Sequence, residues 1–137
     1  MKRILHLMAI LVVLSSCVRP SSSETFIKAA DAHGGMYTFE LDLSDSLVRY
    51  DVSFFTRIDG LSSAFQLPLQ VVWESPEKDI YDEMVYMPVP KSGEALELYR
   101  SAIEPSVYGT WKVYVHPGET PEGFCGLGIV CERKKKE

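Results

Sequence analysis

Cys17 has the clearest chemistry in the chain, because of what stands in front of it. Lys2 and Arg3 precede an apolar run from Ile4 to Leu14, and Ser15 and Ser16 lead into the cysteine. A charged start, a short apolar middle and small residues before a cut make a secretory signal, and the run is too short to span a bilayer as a permanent helix. Leu-Ser-Ser-Cys has the form of a lipobox, so cleavage is expected before Cys17, which would become the acylated N-terminus of the mature chain. One acyl chain holds a protein only marginally, whereas two or more anchor it stably.

The remaining reactive side chains are few. His6 leaves with the signal, so His33 and His116 are the histidines of the mature chain. A serine hydrolase needs a positioned base and an oriented nucleophile, and no Gly-x-Ser-x-Gly pattern occurs. Cys125 with His116 could make a thiol–imidazole pair, but a cysteine on an apolar strand face is better read as core. Asp82 and Glu83 point to opposite faces of one strand and cannot jointly flank a sugar. Asp79 with Glu83, or Glu77 with Asp79, could meet near a turn, where exposed acids are commonplace. No Cys-x-x-Cys spacing or adjacent histidine marks a metal site. The expectation is therefore no enzyme, no metal and no cofactor.

Binding is the better-supported class. Tyr81, Tyr86, Tyr99, Tyr108 and Tyr114, with Trp73 and Trp111, are more aromatics than a small sandwich must hide, and exposed rings suit sugars or a protein partner. Both tryptophans continue apolar alternations and read as core. Tyr114 shares its face with Lys112 and His116. Tyr81, Tyr99 and Tyr114 are the candidate binding surface.

Removal of residues 1–16 leaves 121 residues, enough for one domain with a real core. They carry 12 basic and 19 acidic side chains, a net charge of −7 with histidines neutral, which excludes nucleic acid as an expected partner. Arg133 to Lys136 reads as a solvated basic tail. An exported chain normally pairs its thiols. Cys125 and Cys131, however, sit six residues apart in one expected strand, roughly 20 Å at about 3.3 Å per residue, too far for a disulfide. They read as small buried side chains.

The elements that must position these groups are strands. Val18 to Ser23 is a polar, serine-rich tether, and residues 24–35 hold either a helical turn or an edge strand. Tyr37, Phe39 and Leu41 alternate with Thr38, Glu40 and Asp42. Val48 to Ile58 alternates most cleanly of all. Phe65 to Glu74 follows, where Pro68 requires an edge, a bulge, or pairing only beyond it. Ile80 to Met87 is apolar on both faces, so its inward face is undecided. Leu96 to Tyr99 is a brief strand or a helical turn, and Ser101 to Tyr108 a crossing loop. Trp111 to Val115 and Phe124 to Glu132 complete the series. Gly126 and Gly128 leave one face of the last strand bare, for a neighbouring side chain or backbone to fill. No convincing amphipathic helix occurs. The pattern predicts an all-β fold, an Ig-like or jelly-roll-like antiparallel β-sandwich of about seven strands. Its expected layout is signal 1–16, lipidated cysteine and tether 17–35, sandwich 36–133 and basic tail 134–137.

Three stretches carry a family resemblance: Leu67-Pro68-Leu69-Gln70-Val71-Val72-Trp73-Glu74-Ser75-Pro76, then Asp82-Glu83-Met84-Val85-Tyr86-Met87-Pro88, and Gly109 to Val115 followed by a polar loop and Gly126-Leu127-Gly128-Ile129-Val130. Behind a lipobox, this series resembles the gliding-motility lipoprotein H family over about four-fifths of the mature chain. The segment after Met87 departs from it, being short and proline-broken where the family has a longer glycine- and tryptophan-containing stretch. The resemblance implies a lipid-anchored envelope β-domain, an accessory component with an envelope protein partner and no catalytic residues to carry over. The alternative is a small carbohydrate- or peptide-binding lipoprotein. Val18 and Arg19 follow Cys17 without an acidic cluster, which points to the periplasmic face of the outer membrane.

Overall fold

The alternation that starts at Tyr37 is built as drawn from the sequence. In the computed structural model, which describes residues 21–60 and 65–136, Tyr37, Phe39, Leu41 and Leu43 are buried and the residues between them exposed. Cys17 and the expected signal segment, 1–16, lie outside the described residues. Eight strands form: β1 (Ser22–Lys28), β2 (Tyr37–Leu43), β3 (Val48–Ile58), β4 (Phe65–Glu74), β5 (Ile80–Val89), β6 (Gly93–Ile103), β7 (Gly109–Pro117) and β8 (Phe124–Lys135), with a 3-10 turn at Ala29–Asp31. They make two antiparallel four-stranded sheets, β1-β8-β3-β6 and β2-β7-β4-β5. The inner faces pack on each other as a β-sandwich.

Side chains from both sheets share one core. Val52, Leu67, Leu69, Val71, Val113, Val115 and Leu127 have no exposed surface, and burying each such side chain stabilises the fold by about 1.5–3 kcal/mol. Pro68 is accommodated as one of the sequence options required: β4 pairs with β7 only from Leu69 onward, and the Pro68 carbonyl accepts from Gly118 N–H at 2.8 Å. The inward face of β5 is that of Val85, Met87 and Val89. The turn between β2 and β3 is tied by Tyr50, a buried residue whose hydroxyl accepts from Asp45 N–H at 2.9 Å and donates to the Asp45 carbonyl at 3.2 Å. Arg133 pairs with the Asp45 carboxylate from β8.

Three expectations need correction. Eight strands stand where about seven were expected: β1 is the edge strand that residues 24–35 allowed, and it begins two residues earlier, at Ser22, inside the stretch given to the tether. Ser22 to Thr25 is exposed at every position and shows no period; backbone pairing to β8 holds it instead. Gly126 makes this possible, since a Cβ there would lie 2.2 Å from the Ile27 carbonyl oxygen. Second, β6 is an eleven-residue strand where a brief strand or helical turn, then a loop, was expected. Its pairing with β3 slips in register between Tyr50 and Val52 and again between Val52 and Ser53, and Ala102 takes φ 52°. Such irregularity erases the period of two. Asp51 Oδ1 repairs it by accepting from Ala102 N–H at 2.8 Å. Third, Lys134 and Lys135 belong to β8, paired with Arg49 and Val48, and are not a free tail.

The bare face of β8 is filled by rings. Phe26 on β1 and Phe55 on β3 stack at 5.5 Å between centroids, and Phe55 lies where a Gly128 side chain would be. Cys125 and Cys131 are free thiols. Burial pushes the Cys131 thiol up to about 11.

Candidate functional site: an aromatic cleft at one edge

Alternation places Trp73 on β4 and Trp111 on β7 toward the interior, near the end of the sandwich where β5 begins. Tyr81 is the cross-strand neighbour of Trp73. The rings meet as a group: Trp73 and Trp111 edge to face at 6.1 Å, Tyr81 against Trp111 at 6.0 Å, and Trp73 stacked on Tyr99 of β6 at 6.2 Å. Trp111 is nearly buried and donates its indole N–H to the Val107 carbonyl at 2.9 Å. Trp73 is half-buried, and Tyr81 keeps 50% of its surface exposed. Between them lies a cleft of about 410 Å³, floored by Leu43, Ile103 and Pro105.

A polar chain closes the rim and ties the two sheets together. Trp73 Nε1 donates to the Tyr99 hydroxyl at 3.1 Å, and that hydroxyl donates to Glu83 Oε1. Arg100 pairs with Glu83 Oε2, and its guanidinium lies 5.3 Å from the Tyr99 ring centre. One carboxylate on β5 is thus held by two residues of β6. The group is partly solvated, so it orients the rim more than it stabilises the fold.

The structure separates the three tyrosines singled out by sequence. Tyr81 lines this cleft, and Tyr99 adjoins it, stacked on Trp73 and bonded to Glu83. Tyr114 does neither: it stands on the outer face of the β2-β7-β4-β5 sheet and donates to Glu74 Oε2 at 3.1 Å. Desolvation, then that bond, raises its hydroxyl above the usual phenol value. Both tryptophans pack with the core, as their alternation implies, yet they also wall the cleft.

The catalytic pairings weighed from sequence are not assembled. The Cys125 thiol donates to the Gly123 carbonyl at 3.4 Å, and its hydrogen bond to Asp59, then desolvation, raises it. His116 is exposed on the opposite sheet, across from Gln70, and His33 is exposed in the turn before Met36. Asp82 meets Gln70 at 3.3 Å on the outer face, whereas Glu83 turns inward. Glu77 and Asp79 flank a turn whose backbone N–H groups both donate to Ser75 Oγ. Among the described residues no group of three or more His, Cys, Asp or Glu side chains could hold a metal.

Sequence reasoning missed Glu83 and Arg100 as site residues. The signal for Glu83 was present: an acid in register with Tyr81, Val85 and Met87 on the face that turns inward. Arg100 had none, because the irregular pairing of β6 hides which way it points. No family model matches the chain. The search of curated proteins gives no match either.

Proposed function

We propose that this chain is a lipid-anchored envelope protein that acts without catalysis, as an accessory or structural component that binds a protein partner. In this reading acylated Cys17 holds it at the periplasmic face of the outer membrane. One observation carries the binding role: of the nine exposed large hydrophobics among the described residues, six lie on β5 and β6, namely Ile80, Tyr81, Met84, Tyr86, Leu96 and Leu98. Ile80, Met84 and Tyr86 on the outer face of one sheet and Leu96 and Leu98 on that of the other border the edge where Tyr81 lines the cleft, and exposed apolar surface gathered at one edge is a usual mark of an interaction site. The resemblance to gliding-motility lipoproteins supports the same reading without choosing a partner.

The test is a photo-crosslinking residue placed at Tyr81 or, as a control, at Tyr114, in cells making the lipidated protein or Cys17→Ser. A protein adduct from position 81 alone, lost with the anchor, is the expected outcome. Adducts from both positions, or from neither, sink the reading. A second reading, a small saccharide or peptide ligand, draws on the half-exposed Tyr81 ring beside Trp73, stacking surface of the kind that suits sugars.

A further inference from the structure

Building on the binding role just given, we propose that the partner segment is an extended, cationic stretch of polypeptide that lies along the β5–β6 edge and puts one large apolar side chain into the cleft.

The backbone offers the place. β5 ends one sheet and β6 ends the other, so each presents an unpaired row of N–H and C=O groups to solvent over ten and eleven residues. Unpaired rows of this length are templates for a further strand. Met84 and Tyr86 flank one row, Leu96 and Leu98 the other, all more than half exposed.

The charge chooses the occupant. Residues 75–104 hold seven acids against three bases (Lys78, Lys91 and Arg100); Glu83 is paired with Arg100, and Glu104 with Arg49 and Lys136, while Glu77, Asp79, Asp82, Glu94 and Glu97 stand in no ion pair among the described residues. Glu97 is exposed opposite Phe54, on the side that faces the other sheet. A second copy pairing along either strand would set like charges against one another, which disfavours it. Lys or Arg on the incoming segment would instead meet these acids and speed encounter. The cleft selects an apolar anchor over a sugar. Leu43, Ile103 and Pro105 line it beside the rings, and its charged residues are engaged, Glu83 with Tyr99 and Arg100 and Asp82 with Gln70, so a polyhydroxylated ligand would find few open partners. A volume of about 410 Å³ lies at the small end of ligand pockets, room for one large side chain.

The test uses the purified full-length lipidated protein in detergent and three fluorescent synthetic decapeptides. One alternates Lys and Val around a central Trp, one has Glu for Lys, and one has Ala for Trp. Fluorescence anisotropy should show the first binding at least about tenfold tighter than either other, and weakening as salt rises from about 20 to 300 mM. Tyr81→Ala and Glu97→Lys should each lower that affinity by about fivefold or more, with far-UV circular dichroism unchanged, while Tyr114→Ala leaves it alone. Equal binding of the acidic peptide overturns the proposal. So does Tyr81-dependent binding of N-acetylglucosamine oligomers in place of the peptides, or sedimentation showing self-association that Glu97→Lys disrupts. A Tyr81 cross-link to a protein, together with no preference among the peptides, leaves the partner reading standing and removes the cationic segment.

Discussion

β2 and β5 are both terminal strands of the same sheet, and they are finished differently. Along β2 every inward side chain is buried and every outward one, Thr38, Glu40 and Asp42, is polar. Along β5 only Met87 and Val89 are buried, Tyr81 and Glu83 face a gap between the sheets, and the outward side chains include Ile80, Met84 and Tyr86. The opposite sheet repeats the contrast. β1 is polar through its first half and rests on the glycine face of β8, whereas β6 exposes Leu96 and Leu98. An edge with its apolar residues inside and polar ones outside needs nothing more. All four terminal strands are paired on one side only, but an edge apolar on both faces also leaves surplus surface, which is what a partner would cover.

The contrast can be broken most forcefully on the closed side. Gly128→Val would place side-chain atoms where Phe55 already lies, 2.0 Å from the Cβ position. Such overpacking should cost about 3 kcal/mol and loosen β1, read as a lowered urea midpoint and faster amide exchange in residues 22–28. An unchanged midpoint would mean that the ring stack is not what seals this face.

The buried thiol on the same side gives the next effect. Because the folded state holds Cys131 neutral up to about 11 while the unfolded chain ionises near 9, stability present below pH about 9 should fall by about 2–3 kcal/mol as pH rises toward 11. Chemical denaturation at pH 8, 9.5 and 11 measures it, and Cys131→Ala should flatten that slope. A parallel slope in the variant would assign the loss to Tyr37 and Tyr50, whose hydroxyls burial also raises.

Toward the open edge the effects should shrink. Thr56 Oγ1 is buried without a hydrogen-bond partner, on the strand that carries β6, so Thr56→Val should raise stability by about 1 kcal/mol. A loss would show that the hydroxyl is satisfied in solution. Smallest of all, Met84→Thr with Tyr86→Thr should move stability by no more than about 0.5 kcal/mol, even though the pair removes much of the exposed apolar surface. A loss of several kcal/mol would make these side chains part of the fold rather than of an interface.

How much of this was legible in the residues depends on how each strand is held. β2, β3 and β7 were readable because one face of each is core, which imposes the period of two. β8 was readable on its inward side through Leu127, Ile129 and Cys131, and its glycines correctly announced that something else fills the outer side. β1 was readable only as one of two alternatives for residues 24–35, and β6 only as a brief-strand alternative at Leu96 to Tyr99, with neither extent given. The first is held by backbone pairing, which leaves no hydropathy pattern, and the second is irregular where Asp51 replaces a ladder bond. The candidate site was half legible: Tyr81 and Tyr99 were readable as binding surface, but not that both tryptophans, read as core, also wall the cleft, that Tyr114 stands apart, or that Glu83 and Arg100 join the group.

Sequence alone determined the all-β class, the two-faced strands, the absence of an expected disulfide between Cys125 and Cys131, and the acidic balance, because each follows from spacing and charge along one chain. Which strands end the sheets was decided only by the tertiary structure. Strand order depends on contacts between residues far apart in the chain, and those contacts set β5 beside β6, opened the cleft between them, and left the acidic, apolar edge unpaired.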